Sequence, residues 1–182
     1  GNFLGIGADC CRRAVLVEQA QEPGLLITNG EFVGRWGSED SVCLEIAETS
    51  GGKVSLTNCS FWGPIDRCVW MRAAGAQFTA NATHFLHWDN HNQDSAAIQL
   101  DAGKAIIQGS TFGNGDTCVL VGPKVKSAIL MGNQAADGFN VDNQAETKTQ
   151  MIGNEGQTIF WTDEARAHYQ IDIGAEGDGR YV

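Results

Sequence analysis

Long apolar runs are missing from the chain: the longest, such as Ala128 to Met131, fall far short of the ~20 residues that a membrane helix needs. Membrane spanning by a helix is therefore not expected. Basic residues are scarce, with 12 Lys+Arg against 22 Asp+Glu in 182 residues and a formal net charge of −10. They are scattered from Arg12 to Arg180 rather than clustered, which argues against nucleic acid as a partner, because phosphate binding draws on grouped Lys and Arg. Proline is almost absent at 3 residues, so the 23 glycines punctuate regular structure and do not mark a disordered linker. Six cysteines are too dilute for a disulfide scaffold, and none shows the paired spacing of a zinc site. The start, Gly1-Asn2-Phe3, has no Met, basic region or apolar stretch of a leader, so any targeting segment is expected to lie upstream or to have been removed. Asn58-Cys59-Ser60 and Asn81-Ala82-Thr83 fit the glycosylation pattern, which matters only in a eukaryotic secretory route.

What is present is a repeat. GLLITNGEF (24–32), GKVSLTNCSF (52–61), GAQFTANATHF (75–85) and GKAIIQGSTF (103–112) share a plan of Gly, alternating strand, small or Asn turn residue, then Phe, echoed more faintly in SAILMGN (127–133) and KTQMIGN (148–154). Phe32, Phe61, Phe85 and Phe112 are separated by 29, 24 and 27 residues. A second set of short alternating strands lies between: AVLV (14–17), CLEI (43–46), CVWM (68–71), AIQL (97–100), CVLV (118–121) and NVD (140–142). Two short strands per period and no helical pattern predict a solenoid, since a single coil cannot bury its apolar face alone. The expected fold is all-β, a right-handed parallel β-helix of about six coils over residues 1–154, with 155–182 as a capping or exit segment. An antiparallel sandwich is the rival, but it has no reason to repeat Gly and Phe at matched offsets. Leu26, Leu56, Phe78 and Ile106 are expected to stack inside one sheet, and Leu44, Val69, Ile98 and Val119 inside another.

Asn29, Asn58, Ala82, Gly109, Gly132 and Gly153 form one turn column, where left-handed backbone or a bond to the next coil is expected. Cys43, Cys68, Ala97, Cys118 and Asn140 form a small-residue column. Coils about 4.8 Å apart would allow a bridge between Cys43 and Cys68, but free buried thiols are the simpler expectation. Ile159, Phe160, Trp161 and Tyr169 offer an apolar lid for the end of the stack. The stack is short for a self-sufficient enzyme, so further coils of a longer chain are an expected partner.

After each Phe the chain leaves the core in a loop of varying length, and stacking aligns these loops on one side. Trp36, Trp62 and Trp88 follow the Phe closely, while Asp40, Asp66, Asp94, Asp116 and Asp137 precede the next small-residue position. Indole beside carboxylates suits a sugar chain, whose apolar faces stack on aromatic rings and whose hydroxyls bond to acids. Adjacent coils would hold two carboxyls about 5 Å apart, near the retaining-glycosidase gap, and alternate coils about 9 to 10 Å. Asp66, Asp89, Asp94 and Asp116 are thus the candidate catalytic acids. An Asx-turn explains the same column without chemistry. The longest loop carries His87-Trp88-Asp89-Asn90-His91. His87 and His91 are candidates to contact substrate, to act as base, or to bind a metal with Asp89, against a reading as solvated loop histidines. Arg67 and Arg72 can pair with acids or with an acidic sugar, a salt-bridged surface being the plainer account. No cofactor is expected, except that carboxylate-rich loops suit Ca²⁺.

The coils VSLTNCSFWGP (54–64), AAIQLDAGKAIIQGSTF (96–112) and AILMGN (128–133) resemble the pectate-lyase superfamily of right-handed parallel β-helix proteins, over about residues 13 to 154. The resemblance implies a carbohydrate-active protein, a glycoside hydrolase or lyase, extracellular or periplasmic, with a polysaccharide or oligosaccharide as partner. The family's catalytic strings do not carry over: Asn-Thr-Asp, Gly-His-Gly and Arg-Ile-Lys are absent, and where a pectate lyase reads Val-Trp-Ile-Asp-His this chain reads Val69-Trp70-Met71-Arg72-Ala73. The alternative expectation is a non-catalytic module, glycan-binding or structural, that needs the tryptophans but not the acids.

Overall fold

A computed structural model describes residues 1–155 apart from Trp36, Ser38 and Pro64. The expected cap lies outside the described residues except for Glu155, as does Trp36 of the candidate binding set. The described chain is a parallel β-helix, and its one helical element is a 3-10 turn at Glu146–Lys148. No helix among the described residues is long and apolar enough to cross a membrane.

Three sheets wind around a common interior. The first holds Asn2–Leu4, Leu25–Thr28, Gly51–Thr57, Gly75–Asn81 and Thr149–Ile152, and the second holds Val15–Val17, Val42–Ile46, Arg67–Met71 and Val141–Asn143. Ile98–Gln108 and Val119–Met131 run through the corner and belong to both, pairing in parallel with register shifts at Leu100/Ala102 and Gly103/Lys104. Gly103 sits at φ +85, and a Cβ there would lie 2.5 Å from the Ala73 carbonyl, so only glycine lets the bent strand approach its neighbour. The third sheet is six-stranded: Gly7–Cys11, Glu31–Gly34, Ser60–Trp62, His84–Leu86, Thr111–Gly113 and Gln134–Ala135.

In the second sheet Leu44, Val69, Ile98 and Val119 are in register and fully buried, as their alternation predicts. The first sheet corrects the reading. Leu56 and Phe78 point inward, but Leu26 is 40% exposed and Ile106 pairs with the outward Thr79. One inward column is Ile27, Leu56, Ala80, Ile107 and Leu130, five residues before Phe32, Phe61, Phe85 and Phe112 wherever a Phe follows, and a second, two residues earlier, is Val54, Phe78, Ala105 and Ala128. Because side chains alternate with a period of two, an error of one residue turns the whole set outward.

The phenylalanines are vertical neighbours. Phe32–Phe61, Phe61–Phe85 and Phe85–Phe112 stack with ring centroids 5.0, 5.3 and 4.9 Å apart, and Phe139 continues the file at 5.2 Å from Phe112. Full burial of such a side chain stabilises by about 1.5–3 kcal/mol, and an offset aromatic contact adds about 0.5–1.5 kcal/mol.

The turn after the first sheet has left-handed backbone at every level, with φ of 55, 51, 48, 55, 62 and 60° at Asn29, Asn58, Ala82, Gly109, Gly132 and Gly153. Each of the first five donates its backbone N–H to the next coil, as in Asn29 to the Thr57 carbonyl at 3.0 Å. Directly after this column lies a buried polar file that the sequence reading did not single out. The N–H of Gly30 points to Cys59 Sγ, that of Thr83 to Ser110 Oγ, that of Ser110 to Asn133 Oδ1 and that of Asn133 to Asn154 Oδ1. Each side chain thus satisfies an inward-facing amide of the coil before it, which a dry interior requires.

Cys43, Cys68 and Cys118 are buried free thiols in the small-residue column, whereas Asn140 at its end is exposed. Burial, aided by nearby Cys11, pushes the Cys43 thiol up to about 12, and burial pushes Cys118 up to about 11. Desolvation likewise raises Cys68.

Candidate functional site

The candidate residues cluster where the third sheet passes into the second. Asp66 closes the short corner after Trp62 and is fully buried. Its Oδ2 accepts the Ser41 backbone N–H at 3.0 Å, and its Oδ1 accepts from His91 Nδ1 at 2.7 Å. In return the Asp66 N–H donates to Ser41 Oγ at 3.1 Å. One carboxylate therefore ties three successive coils together. The hydrogen bond to Asp66 raises the His91 imidazole above its ordinary value, with the charges of Asp66, Glu39 and Asp40 acting in the same sense.

The loop between Leu86 and Ile98 lies over this corner through backbone bonds from Asp89 to the Asp66 carbonyl and from Asn90 to the Ile65 carbonyl. It bends by placing His87, Asp89, Asn92 and Asp94 at φ of 59, 58, 49 and 55°, using side chains that tolerate left-handed backbone. Asp89 Oδ1 accepts the N–H groups of Gln93 and Ser95 at 2.8 and 3.1 Å, which makes it the organiser of the loop's own turn. Asp94 and Asp116 are exposed on separate loops. Asp66 and Asp89 are thus engaged within the protein, and Asp94 and Asp116 are the candidate acids open to solvent.

The aromatic candidates divide. Trp88 is only 4% exposed, its ring set edge-on to Phe112 at 6.2 Å and against Gly115, where a Cβ would lie 2.3 Å from the indole. It plugs the core and presents no face to a sugar, which corrects its assignment as a binding residue. Trp62 stays 43% exposed at the end of its strand. His87 of the next coil stands at right angles to it, with centroids 6.1 Å apart, and one coil further Asn114 Nδ2 donates to His87 Nε2 at 3.2 Å. Trp62, His87 and Asn114 thus form an open row parallel to the solenoid axis. Asn114 was not among the sequence candidates; its signal is its place directly after the third-sheet strand, the position His87 occupies one coil earlier.

Arg67 turns away from Asp66. Its Nε donates to Gln99 Oε1 at 2.6 Å, and its guanidinium lies 5.1 Å from the Trp70 ring centroid. Arg72 lies over the same ring at 4.9 Å and pairs with Glu45 at 3.2 Å and Glu48 at 3.3 Å, while Arg13 pairs with Glu45 at 2.7 Å. The Trp70 N–H donates to Asp101 Oδ2 at 2.7 Å. The outer face of the second sheet is a salt-bridged, cation-π network whose charges are matched internally.

Among the described residues no three His, Cys, Asp or Glu side chains converge where a metal ion could be held. His87, Asp89 and His91 each engage a different partner, Asn114, the loop backbone and Asp66. Compared with protein-family models, with curated proteins and with solved structures, the chain matches none.

Proposed function

We propose that this protein is a carbohydrate-binding β-helix that holds an extended polysaccharide along the row Trp62, His87 and Asn114. The observation that carries the reading is the exposed Trp62 indole, continued one coil at a time by an imidazole and a carboxamide. An indole face takes the apolar side of a pyranose, and the two groups beyond it donate to or accept from its hydroxyls. The backbone beneath is fixed in a parallel ladder, so little ordering is needed on binding. The sequence resemblance to the pectate-lyase superfamily favours the same ligand class, and a polymer of this kind suits an extracellular or periplasmic setting.

Binding is better supported than hydrolysis. A glycosidase needs two carboxyls facing one bond, and here Asp66 is buried in the corner and Asp89 holds its own loop, so two of the four candidate acids are committed to structure. Affinity electrophoresis through gels of neutral soluble polysaccharides tests the reading. Wild-type protein is expected to be retarded by at least one polymer, and Trp62→Ala to bind it roughly tenfold more weakly, as loss of about 1.4 kcal/mol of stacking implies. Absence of retardation across the panel, or equal retardation of Trp62→Ala, would overturn it.

A further inference from the structure

The lysines tell a different story from the arginines. Arg13 and Arg72 are in ion pairs, yet no lysine forms one among the described residues, in a protein of net charge −10. Three of these lysines, Lys53, Lys104 and Lys126, line one groove of about 300 Å³ where the second sheet turns into the first, and Glu22 is the one acid among the described residues that lines it with them. Small residues, Gly52 and Ala74 to Ala76, also line it. Register fixes the spacing: Gln77 pairs with Lys53 on one side and Lys104 on the other, so the two ammonium-bearing residues stand two coils apart, about 10 Å. Lys126 reaches across, its Nζ donating to the Ala74 carbonyl at 2.8 Å, which pins a third positive charge over the groove.

We infer that this groove binds the anionic groups of a linear polysaccharide that carries one sulfate or carboxylate per disaccharide. The inference rests on the glycan reading above and adds a second contact surface and a ligand charge pattern to it. Two coils match the length of a disaccharide, so successive anionic groups meet Lys53 and Lys104 while the uncharged sugar between them passes Gln77. A densely charged polymer such as nucleic acid, with one charge per ~3.4 Å along each strand, would carry most of its charge past the lysines, against a protein of net charge −10. A sparsely charged chain avoids that repulsion.

Fluorescence anisotropy with labelled chondroitin sulfate, hyaluronan, dextran and poly-dT, at low and moderate salt, tests this with the whole protein. Both anionic glycans are expected to bind more tightly than dextran, and salt is expected to erase the difference. The double variant Lys53→Gln/Lys104→Gln, its fold checked by circular dichroism, is expected to lose about tenfold in affinity for them and to leave dextran binding unchanged. A preference for chondroitin sulfate, which carries a sulfate beside the carboxylate of each disaccharide, over hyaluronan, which carries the carboxylate alone, shows that the added sulfate is recognised, and equal binding shows that one carboxylate per disaccharide suffices. Retention of the anionic preference in the double variant, no preference in wild type, or poly-dT binding as tight as the glycans would overturn the inference. Trp62→Ala separates the two readings: if it weakens dextran binding while the lysine variant changes nothing, the groove proposal fails alone. If the lysines matter and Trp62→Ala does not, the groove stands and the aromatic row falls.

Discussion

Replacing Asn133 with alanine probes whether the buried polar file holds the coils together. The Asn133 side chain accepts the Ser110 N–H at 3.1 Å and donates to the Ile107 carbonyl and to Asn154 Oδ1, both at 3.0 Å. Alanine leaves the buried Ser110 N–H without its acceptor and removes a donor from the Ile107 carbonyl, whereas Asn154 Oδ1 keeps the backbone N–H of residue 133 at 2.9 Å. At about 1–3 kcal/mol for each of the two buried groups left unmade, the loss comes to about 2–6 kcal/mol. The control is Asn58→Ala one column earlier, which removes an exposed bond to Asn29 at 2.8 Å and puts alanine at φ 51°, a cost of about 1 kcal/mol. With a urea slope of about 2 kcal/mol/M, the unfolding midpoint followed by circular dichroism falls by roughly 1–3 M for Asn133→Ala and by about 0.5 M for Asn58→Ala. An Asn133→Ala shift no larger than that of the control would refute the idea that inward amides are satisfied chiefly by this file.

Phe61→Ala empties the middle of the ring file and is expected to cost about 3–5 kcal/mol, read as the same midpoint shift; a loss under ~1 kcal/mol would mean that the coils close over the gap. Titration of His91 by NMR should give a value above the ordinary ~6.5, and Asp66→Asn should bring it down. Because the folded value is raised, the pair's contribution to stability is complete below the ordinary value and fades as pH climbs through the raised one; stability rising over that interval through His91 would contradict the assignment. Thiol labelling of the native protein at pH 8 should modify exposed Cys10 first and spare Cys43, Cys68 and Cys118 until urea unfolds the chain. Labelling of Cys68 in the native state would argue against its burial.

The fold was legible because a coil repeats its own chemistry: Gly, an alternating strand, a turn residue and Phe recur, and stacking is the arrangement that gives each copy an apolar neighbour. Facing was harder to read. Leu25, Leu26 and Ile27 form an unbroken apolar run, so alternation alone does not say which of them is inside. In the 75–85 segment the bulk of Phe78 draws the eye from Ala80, which holds the equivalent inward position. The site was legible in part, since Asp66 meets His91 and Trp62 meets His87 across coils. Trp88 defeated the reading because exposure depends on the path of its loop: the left-handed residues at 87 and 89 turn the indole back onto Phe112. The groove lysines Lys53 and Lys104 each follow a Gly that opens a coil, and only the pairing of Gln77 on both sides shows that they share one line.

The file of rings also bears on how such a molecule could grow or shrink. Phe61 and Phe85 occupy equivalent stations at nearly equal spacing, and Asn58 and Ala82 turn the backbone with almost the same φ. Excising residues 59–82 would join Asn58 to Thr83 and bring Phe32 over Phe85, while removing the Asp66 bonds to Ser41 and His91 that this coil carries. Duplicating the same segment would insert one. In-frame recombination at this turn therefore alters length in whole units while keeping the ring file and the turn column in line, a tolerance that a fold without a repeat does not have.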